Sequence, residues 1–265
     1  MKINMNKIIV LSLSVLIMFL LTSCSSSDVV KSITADERFE MGKKLFDDED
    51  YLDAIHEFEI VKIQFPGSTV ADDAQYYLAE SRYKMEEYLL AAQEYQELIR
   101  NMSASSFIPL AQFKVGMCYY NISPGSSIDQ QYTHRAIDEF QSFIEYYPTH
   151  ELVQEATANI KKLNETLAKK LYETAELYMN MEYYKSATIY FNNVIEKFHD
   201  TPYAEDAYIG KVRALISRKK YSDAGKEIGK YLEKYPSGLK KNEAENLKKQ
   251  IEGDLKTEKS VNNNL

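Results

Sequence analysis

Five segments of this chain share one spacing of aromatic and alanine residues, and this repeat limits the possible folds more than any other feature. Each segment has a tyrosine, an alanine three or four positions later, and an aromatic residue or isoleucine four positions after the alanine. The segments are Tyr51–Pro66, Tyr88–Tyr95, Tyr132–Pro148, Tyr184–Phe198 and Tyr221–Pro236. Their alanines are separated by 37, 45, 51 and 37 residues. Periods of this size predict stacked helix pairs.

The composition also favours helices over other architectures. The 265 residues include only 9 Gly and 6 Pro, about 6% together, against roughly 12% in average proteins. Turn-rich sandwiches and barrels need more chain breakers than this. The net charge of −8 and the pI near 5.2 disfavour a surface that follows nucleic-acid phosphates. We therefore expect no nucleic-acid partner.

The pattern inside each segment resembles the tetratricopeptide repeat. In the first repeat, Gly42 lies twelve residues before Ala54, where two helices must approach closely, and Pro66 ends the second helix. The positions equivalent to Gly42 in the later repeats are Ala79, Gly116, Ala175 and Val212, and the larger Val212 predicts looser packing there. The resemblance implies an all-α solenoid of five helix pairs plus a C-terminal capping helix.

Two insertions divide the predicted solenoid into two lobes. The segment 122–130 contains Pro124-Gly125 and predicts a long loop within the third repeat. The segment 151–174 has no Gly or Pro and keeps helical apolar spacing into the fourth repeat, which predicts one continuous helix of about 30 residues. We expect residues 36–149 to form an N-terminal lobe of three repeats. Residues 150–256 then form the long helix, repeats four and five and the capping helix, and residues 257–265 a disordered tail.

The N-terminal segment has the features of a targeting signal. Lys2 and Lys7 precede an uncharged run of 14 residues, Ile8–Leu21, which is too short to span a bilayer but suits a signal-peptide core. The run ends in Leu21-Thr22-Ser23-Cys24, which resembles the cleavage box of bacterial lipoproteins. This predicts removal of residues 1–23, lipidation of Cys24 and a tether over 24–35. The alternative is an ordinary cleaved signal with an incidental cysteine.

The sequence contains no set of residues with the types and spacing of a catalytic or metal-binding site. Once Cys24 is acylated, Cys118 is the only remaining thiol, so no disulfide within the chain is expected. The four histidines, at 56, 134, 150 and 199, lack metal-ligand spacing, and no nucleophile or phosphate-binding motif occurs. We therefore predict a protein that is not an enzyme and has no cofactor or metal, apart from the covalent lipid on Cys24.

The first helices of the repeats predict a candidate binding groove. In the usual geometry of such repeats, the positions aligned with Phe39 and Phe46 face the concave side. In the first three repeats they carry aromatic pairs, namely Phe39, Phe46, Tyr76, Tyr83, Phe113 and Tyr120. These rings can bind an extended peptide that bears aromatic side chains. The alternative is that they only pack between helices.

The lipoprotein box and the five repeats together resemble the BamD family of the outer-membrane β-barrel assembly machinery. The resemblance is carried by Phe65-Pro66-Gly67-Ser68 with Ala71-Asp72-Asp73-Ala74, by the stretch His150–Ala156, and by Tyr203-Ala204-Glu205-Asp206-Ala207. It spans essentially all of the mature chain. Because Ser25 rather than Asp follows Cys24, the sorting rule for such lipoproteins implies the periplasmic face of the outer membrane.

This resemblance implies a non-enzymatic assembly subunit. Its C-terminal repeats would hold the POTRA domains of a BamA-like barrel subunit, and its N-terminal repeats would receive C-terminal signals of unfolded outer-membrane proteins. The lipid anchor would be its only contact with the membrane. The alternative is a periplasmic repeat adaptor of the Tol–Pal and cell-division machinery, because that relative shares the element around Phe65–Ala74.

Overall fold

The computed structural model describes residues 33–262, and all regular secondary structure in that range is helical. Ten helices form five consecutive pairs: α1 (Ala35–Asp47) with α2 (Tyr51–Gln64), α3 (Ala71–Lys84) with α4 (Tyr88–Asn101), α5 (Ile108–Asn121) with α6 (Gln131–Tyr146), α7 (Val153–Asn180) with α8 (Tyr184–Lys197), and α9 (Tyr203–Ser217) with α10 (Tyr221–Lys234). A final helix, α11 (Lys241–Asn262), packs on α10. The predicted all-α solenoid of five helix pairs and a capping helix is confirmed.

Four of the five pairs are joined by the same tight turn. In the first pair, Glu49 has a φ of 63°, its N–H donates to the Phe46 carbonyl, and the Asp50 N–H donates to the Leu45 carbonyl. This hydrogen-bond pattern is a Schellman motif, in which a left-handed residue ends a helix. Such motifs usually place glycine at that residue, whereas here the residues with positive φ are Glu49, Glu86, Glu182 and Lys219.

Glycine at these turns is expected to stabilise the protein. An L-residue in the left-handed conformation costs roughly 1–2 kcal/mol, which glycine avoids. Glycine also loses more conformational entropy on folding, and this cost offsets about half of the stabilisation. Each of Glu49→Gly, Glu86→Gly and Glu182→Gly should therefore raise the free energy of unfolding by about 0.5–1 kcal/mol, measured by urea denaturation. Glu252→Gly, in the middle of α11, is the control and should lower it by about 1 kcal/mol.

Close approaches between glycine and phenylalanine set the spacing of the helices. A Cβ on Gly42 or Gly116 would lie 2.7 Å from a ring atom of Phe58 or Phe140, the buried aromatic residue of the same pair. This agrees with the role predicted for both glycines. In the fifth repeat the close approach is made by Gly210 against Phe191 of the preceding pair, while the equivalent position predicted from sequence, Val212, is fully buried.

The long helix α7 belongs to two hydrophobic clusters. Its first half, as far as Leu167, packs with α5 and α6 in the cluster of repeats two and three. Its second half, from Ala168, packs with α8 and α9 in the cluster of repeats four and five. The predicted continuous helix is present, with 28 residues. It connects the two lobes without a break.

The C-terminal end differs from the sequence prediction. Helix α11 continues to Asn262 and so includes residues 257–262 of the segment that we expected to be a disordered tail. No helix breaker follows Gly253, and the hydroxyls of Thr257 and Ser260 donate to the carbonyls of Gly253 and Thr257 at 3.1 and 2.8 Å. The predicted signal peptide, Cys24 and most of the tether lie outside the residues that the structure describes.

Candidate peptide-binding groove

The first helices of neighbouring pairs contact each other through one repeated pair of positions. In the first two repeats, Lys43 Nζ lies 5.0 Å from the ring centre of Tyr77. Between the second and third repeats, Lys114 Nζ forms an ion pair with Glu80 at 2.8 Å. These contacts align α1, α3 and α5 side by side, so their exposed surfaces form one groove, which we call the N-lobe groove.

The six residues predicted to line this groove fall into two groups. Tyr76 and Phe113 are buried, with exposed fractions of 7% and 4%. Tyr76 stacks on Phe107 at a ring distance of 4.3 Å, and Phe113 packs against Phe140 and Phe143 at 5.6 and 5.5 Å. These two rings therefore pack between helices and offer no open face to a ligand. The other four, Phe39, Phe46, Tyr83 and Tyr120, are half-buried.

An aromatic cluster forms the first part of the groove. Tyr77 lies 6.0 Å from Phe39, 5.2 Å from Phe46 and 5.9 Å from Phe58 between ring centres. Lys43 lies over the rings of both Tyr77 and Phe46 and also contacts Asp47. The cluster presents half-buried ring surface beside a cation, which suits an extended polypeptide with apolar and carboxylate groups.

A buried carboxylate lies under the middle of the groove. Glu80 is 7% exposed and accepts hydrogen bonds from the hydroxyls of Tyr76, at 3.0 Å, and Tyr95. Lys114 supplies its positive partner. Burial, and secondarily the Glu80 carboxylate, raise the pKa of both tyrosine hydroxyls well above the ordinary value, which keeps them protonated as donors. The network fixes α3, α4 and α5 relative to one another.

Above this network, Tyr83 lies between two polar side chains of α5. Lys114 Nζ lies 4.5 Å from the centre of the Tyr83 ring, and Asn121 Nδ2 donates to the Tyr83 hydroxyl at 2.8 Å. Lys114 and Asn121 are seven residues apart, so both lie on the same face of the helix. The groove thus offers a ring, an ammonium group and an amide at one point, which can hold both an aromatic side chain and a backbone or carboxylate oxygen of a peptide.

Sequence reasoning missed Tyr77, Lys114 and Asn121. Tyr77 and Lys114 occupy the position equivalent to Glu40, three residues before the position of Lys43 and Glu80. A cation opposite a ring or a carboxylate at this pair of positions in successive repeats is the signal that could have identified them. No comparable signal marks Asn121.

The single described cysteine is unsuited to nucleophilic chemistry. Cys118 is fully buried in α5, and burial raises the pKa of its thiol to about 12. In addition, no group of three His, Cys, Asp or Glu side chains within residues 33–262 could hold a metal ion.

Cys118 should accordingly resist alkylation in the folded protein. At pH 8 a thiol with a pKa of about 12 is thiolate in only about 1 molecule in 10⁴, and only the thiolate attacks. In the Cys24→Ser chain, iodoacetamide labelling followed by mass spectrometry should be at least about 100-fold slower in the native state than in urea. Equal rates in both states would contradict the burial of this thiol.

None of the helices between residues 33 and 262 is both long enough and apolar enough to span a membrane. Stacked helix pairs with an open aromatic groove define the chain as a tetratricopeptide-repeat solenoid, a class of protein that presents extended surfaces to other polypeptides. Residues 31–214 match the family model for YfiO, which is described as an outer membrane lipoprotein. The chain belongs to this family, and the predicted resemblance to BamD is confirmed.

Two relatives carry the name outer membrane protein assembly factor BamD. The protein from Rickettsia prowazekii (strain Madrid E) is 23% identical over 212 residues, which cover 80% of this chain and 84% of the relative. The protein from Pasteurella multocida (strain Pm70) is 20% identical over 207 residues, which cover 72% and 80%. Both alignments extend over most of each chain.

Solved structures of repeat proteins are also similar. The TPR2AB-domain:pHSP90 complex of yeast Sti1 is 17% identical, with a TM-score of 0.42 and coverage of 85% of this chain and 86% of that one. The TPR domain of P58(IPK) is 17% identical, with a TM-score of 0.43 and coverage of 89% and 62%.

Proposed function

We propose that this chain is a lipid-anchored, non-enzymatic assembly factor for outer-membrane proteins. Its N-lobe groove receives extended C-terminal segments of unfolded β-barrel proteins, and its C-terminal repeats hold the POTRA domains of a BamA-like barrel subunit. The observation that carries the proposal is membership of the YfiO family over residues 31–214, a range that includes the whole groove. Relatives named as BamD assembly factors support the same role.

The chemistry of the groove supports the choice of substrate. A strand that alternates aromatic and polar residues and ends in a carboxylate needs ring surface, a cation and an amide. Tyr83 supplies the ring, and it contacts both the ammonium group of Lys114 and the amide of Asn121. Because all three belong to the first helices of neighbouring pairs, a bound strand would lie across α3 and α5 and contact both repeats.

Substrate binding can be tested at Tyr83. We expect Tyr83→Ala to weaken binding of a porin C-terminal peptide about tenfold in a fluorescence titration, because one aromatic contact of this kind is worth about 1–2 kcal/mol. Tyr146→Ala is the matched control, because Tyr146 is 74% exposed on α6 and has no role in the groove. Equal affinities of the two variants, or labelling of only repeats four and five by a photoreactive peptide, would refute the groove assignment.

Co-purification from solubilised membranes tests the partner. Recovery of a BamA-like subunit with the full-length protein supports the assembly role, and crosslinks from that subunit to residues 203–262 would assign the contact to the C-terminal repeats. Recovery of Tol or Pal components in its place would favour the envelope-division adaptor.

The lipid anchor is a separate part of the proposal. Replacement of Cys24 by Ser removes the only sulfur atom that the cleavage box offers for acylation. The variant should therefore move from the membrane fraction to the soluble fraction after cell lysis, provided that the assembly partners are also absent. Continued sedimentation with membranes under those conditions would show that another anchor exists.

A further inference from the structure

The fourth repeat has an uncovered surface where the other internal repeats have a covered one. We use the term front face for the side of each first helix that points towards the preceding helix pair. In repeats two, three and five, α2, α4 and α8 pack on the front faces of α3, α5 and α9, respectively. In repeat four, the first helix is the second half of α7.

Equivalent residues show the difference. The position of Lys170 is a fully buried alanine in the other internal repeats, namely Ala74, Ala111 and Ala207. The position of Leu177 is also buried there, by Ser81, Cys118 and Ala214. In repeat four, Leu177 is 56% exposed. The same face that is closed three times elsewhere is therefore open here.

The length of α7 explains the gap. The preceding pair, α5 and α6, packs on the first half of this helix and makes its last core contact at Leu167. Beyond that point a cavity of about 480 Å³, lined by Lys170, Leu171 and Phe198 among others, separates the repeats. The loop 122–130 contacts only the part of this face that precedes Leu177. Lys170 Nζ donates to the Ile128 carbonyl at 2.5 Å, and Ser126 Oγ donates to Glu173 at 2.8 Å.

From Leu177 onwards the open front face is apolar and has acidic residues at its border. Leu177 and Met181 are one helical turn apart and are 56% and 50% exposed, and Tyr183 in the following turn is 56% exposed. Glu173 lies one turn before Leu177, and Glu182 lies between Met181 and Tyr183. The Glu182 carboxylate forms no ion pair with any residue of the described range.

We propose that this front face of α7 binds an amphipathic helix of a partner protein, with basic residues on the border of its apolar side. A helix fits because a helix covers the same face in the three other internal repeats. Lysine or arginine fits because Glu182 on the border of the patch has no ion-pair partner among the described residues, and Glu173 has only the exposed Lys169, at 3.8 Å. The proposal is independent of peptide binding in the N-lobe groove, which is measured at Tyr83 on the other lobe.

Photocrosslinking in the native cell envelope tests this surface. A photoreactive amino acid is placed at Leu177 or at Met181 of the full-length lipoprotein, and at Ile63 as a control. Ile63 is 74% exposed but lies on α2, away from the face. We expect both test positions to label one segment of another protein. Mass spectrometry should identify the sequence of that segment, which should have apolar residues at the three- and four-residue spacing of an amphipathic helix and Lys or Arg beside them. Ile63 should not label it.

Charge reversal provides a second measurement. Glu182→Lys should lower the crosslinking yield at Leu177 about fivefold at low salt, because it opposes a basic partner. The purified variant should keep its urea unfolding midpoint, which separates lost binding from lost folding. Crosslinks to lipid, to a second copy of this chain or to an extended or acidic segment would overturn the proposal. So would the absence of crosslinks, or a yield that Glu182→Lys leaves unchanged.

Discussion

Replacement of Lys114 by methionine is expected to lower the free energy of unfolding by about 3 kcal/mol, because removal of one partner of a buried ion pair leaves an uncompensated charge. Glu80 has a side chain only 9% exposed, while that of Lys114 is 21% exposed. The hydroxyls of Tyr76 and Tyr95 continue to donate to Glu80 in the variant, which keeps the loss at the lower end of the usual range for buried pairs. Urea denaturation followed by circular dichroism measures the change.

Two control variants separate the buried charge from the lost lysine stem. The double variant Glu80→Gln with Lys114→Met removes both charges and keeps an oxygen that can accept from the tyrosines, so it should recover most of the stability. Lys185→Met changes an exposed lysine on α8 and should alter stability by less than about 0.5 kcal/mol. If the single and double variants lose the same stability, the buried charge is not the cause.

Replacement of Gly210 by alanine is expected to cost about 2 kcal/mol of unfolding free energy. An added Cβ would lie 2.4 Å from Cζ of Phe191, a ring that is fully buried. Overpacking of this kind costs about 1–3 kcal/mol or more, and the higher helix propensity of alanine offsets up to about 1 kcal/mol of it.

Gly229 provides a matched comparison in the same lobe. Nothing lies within 4 Å of a Cβ built on Gly229 in α10, so Gly229→Ala should gain up to about 1 kcal/mol from helix propensity alone. The two variants make the same chemical change but should shift the urea midpoint in opposite directions. A stabilising effect of Gly210→Ala would show that α8 and α9 can separate without loss.

The helix pairs could be predicted because their buried alanine and large apolar residues recur at a regular spacing in the sequence. Ala54 and Phe58, with their equivalents in the other repeats, are the fully buried small and large residues of each second helix. Gly42 and Gly116 lie where two helices approach closely, as predicted. A buried position of fixed size recurs with the period of the fold, so sequence alone reveals it. For this reason the number of pairs could be predicted, whereas the long helix and the loop 122–130 were predicted from the absence and the presence of chain breakers.

The exposure of the groove residues could not be predicted in the same way. Tyr76 is covered because Phe107, in the connection between α4 and α5, stacks on its ring, and that connection has no counterpart in the repeat pattern. Phe113 is buried by contacts with α6. A repeat alignment identifies which residues are equivalent, but neighbouring loops and the offset between pairs decide which of them reach solvent. The same offset explains why the open front face of α7 was not foreseen.

The shared helix α7 also has a consequence for folding. In most solenoids a repeat contacts only its neighbours, so one end can fray while the rest stays ordered. Here one 28-residue rod, about 42 Å long at ~1.5 Å per residue, contributes its two halves to two different cores. If either lobe unfolded alone, helix α7 would end near its middle, and the backbone groups at the new helix end would be unpaired. The two lobes are therefore expected to unfold in a single cooperative transition, and a force applied to one lobe is transmitted rigidly to the other.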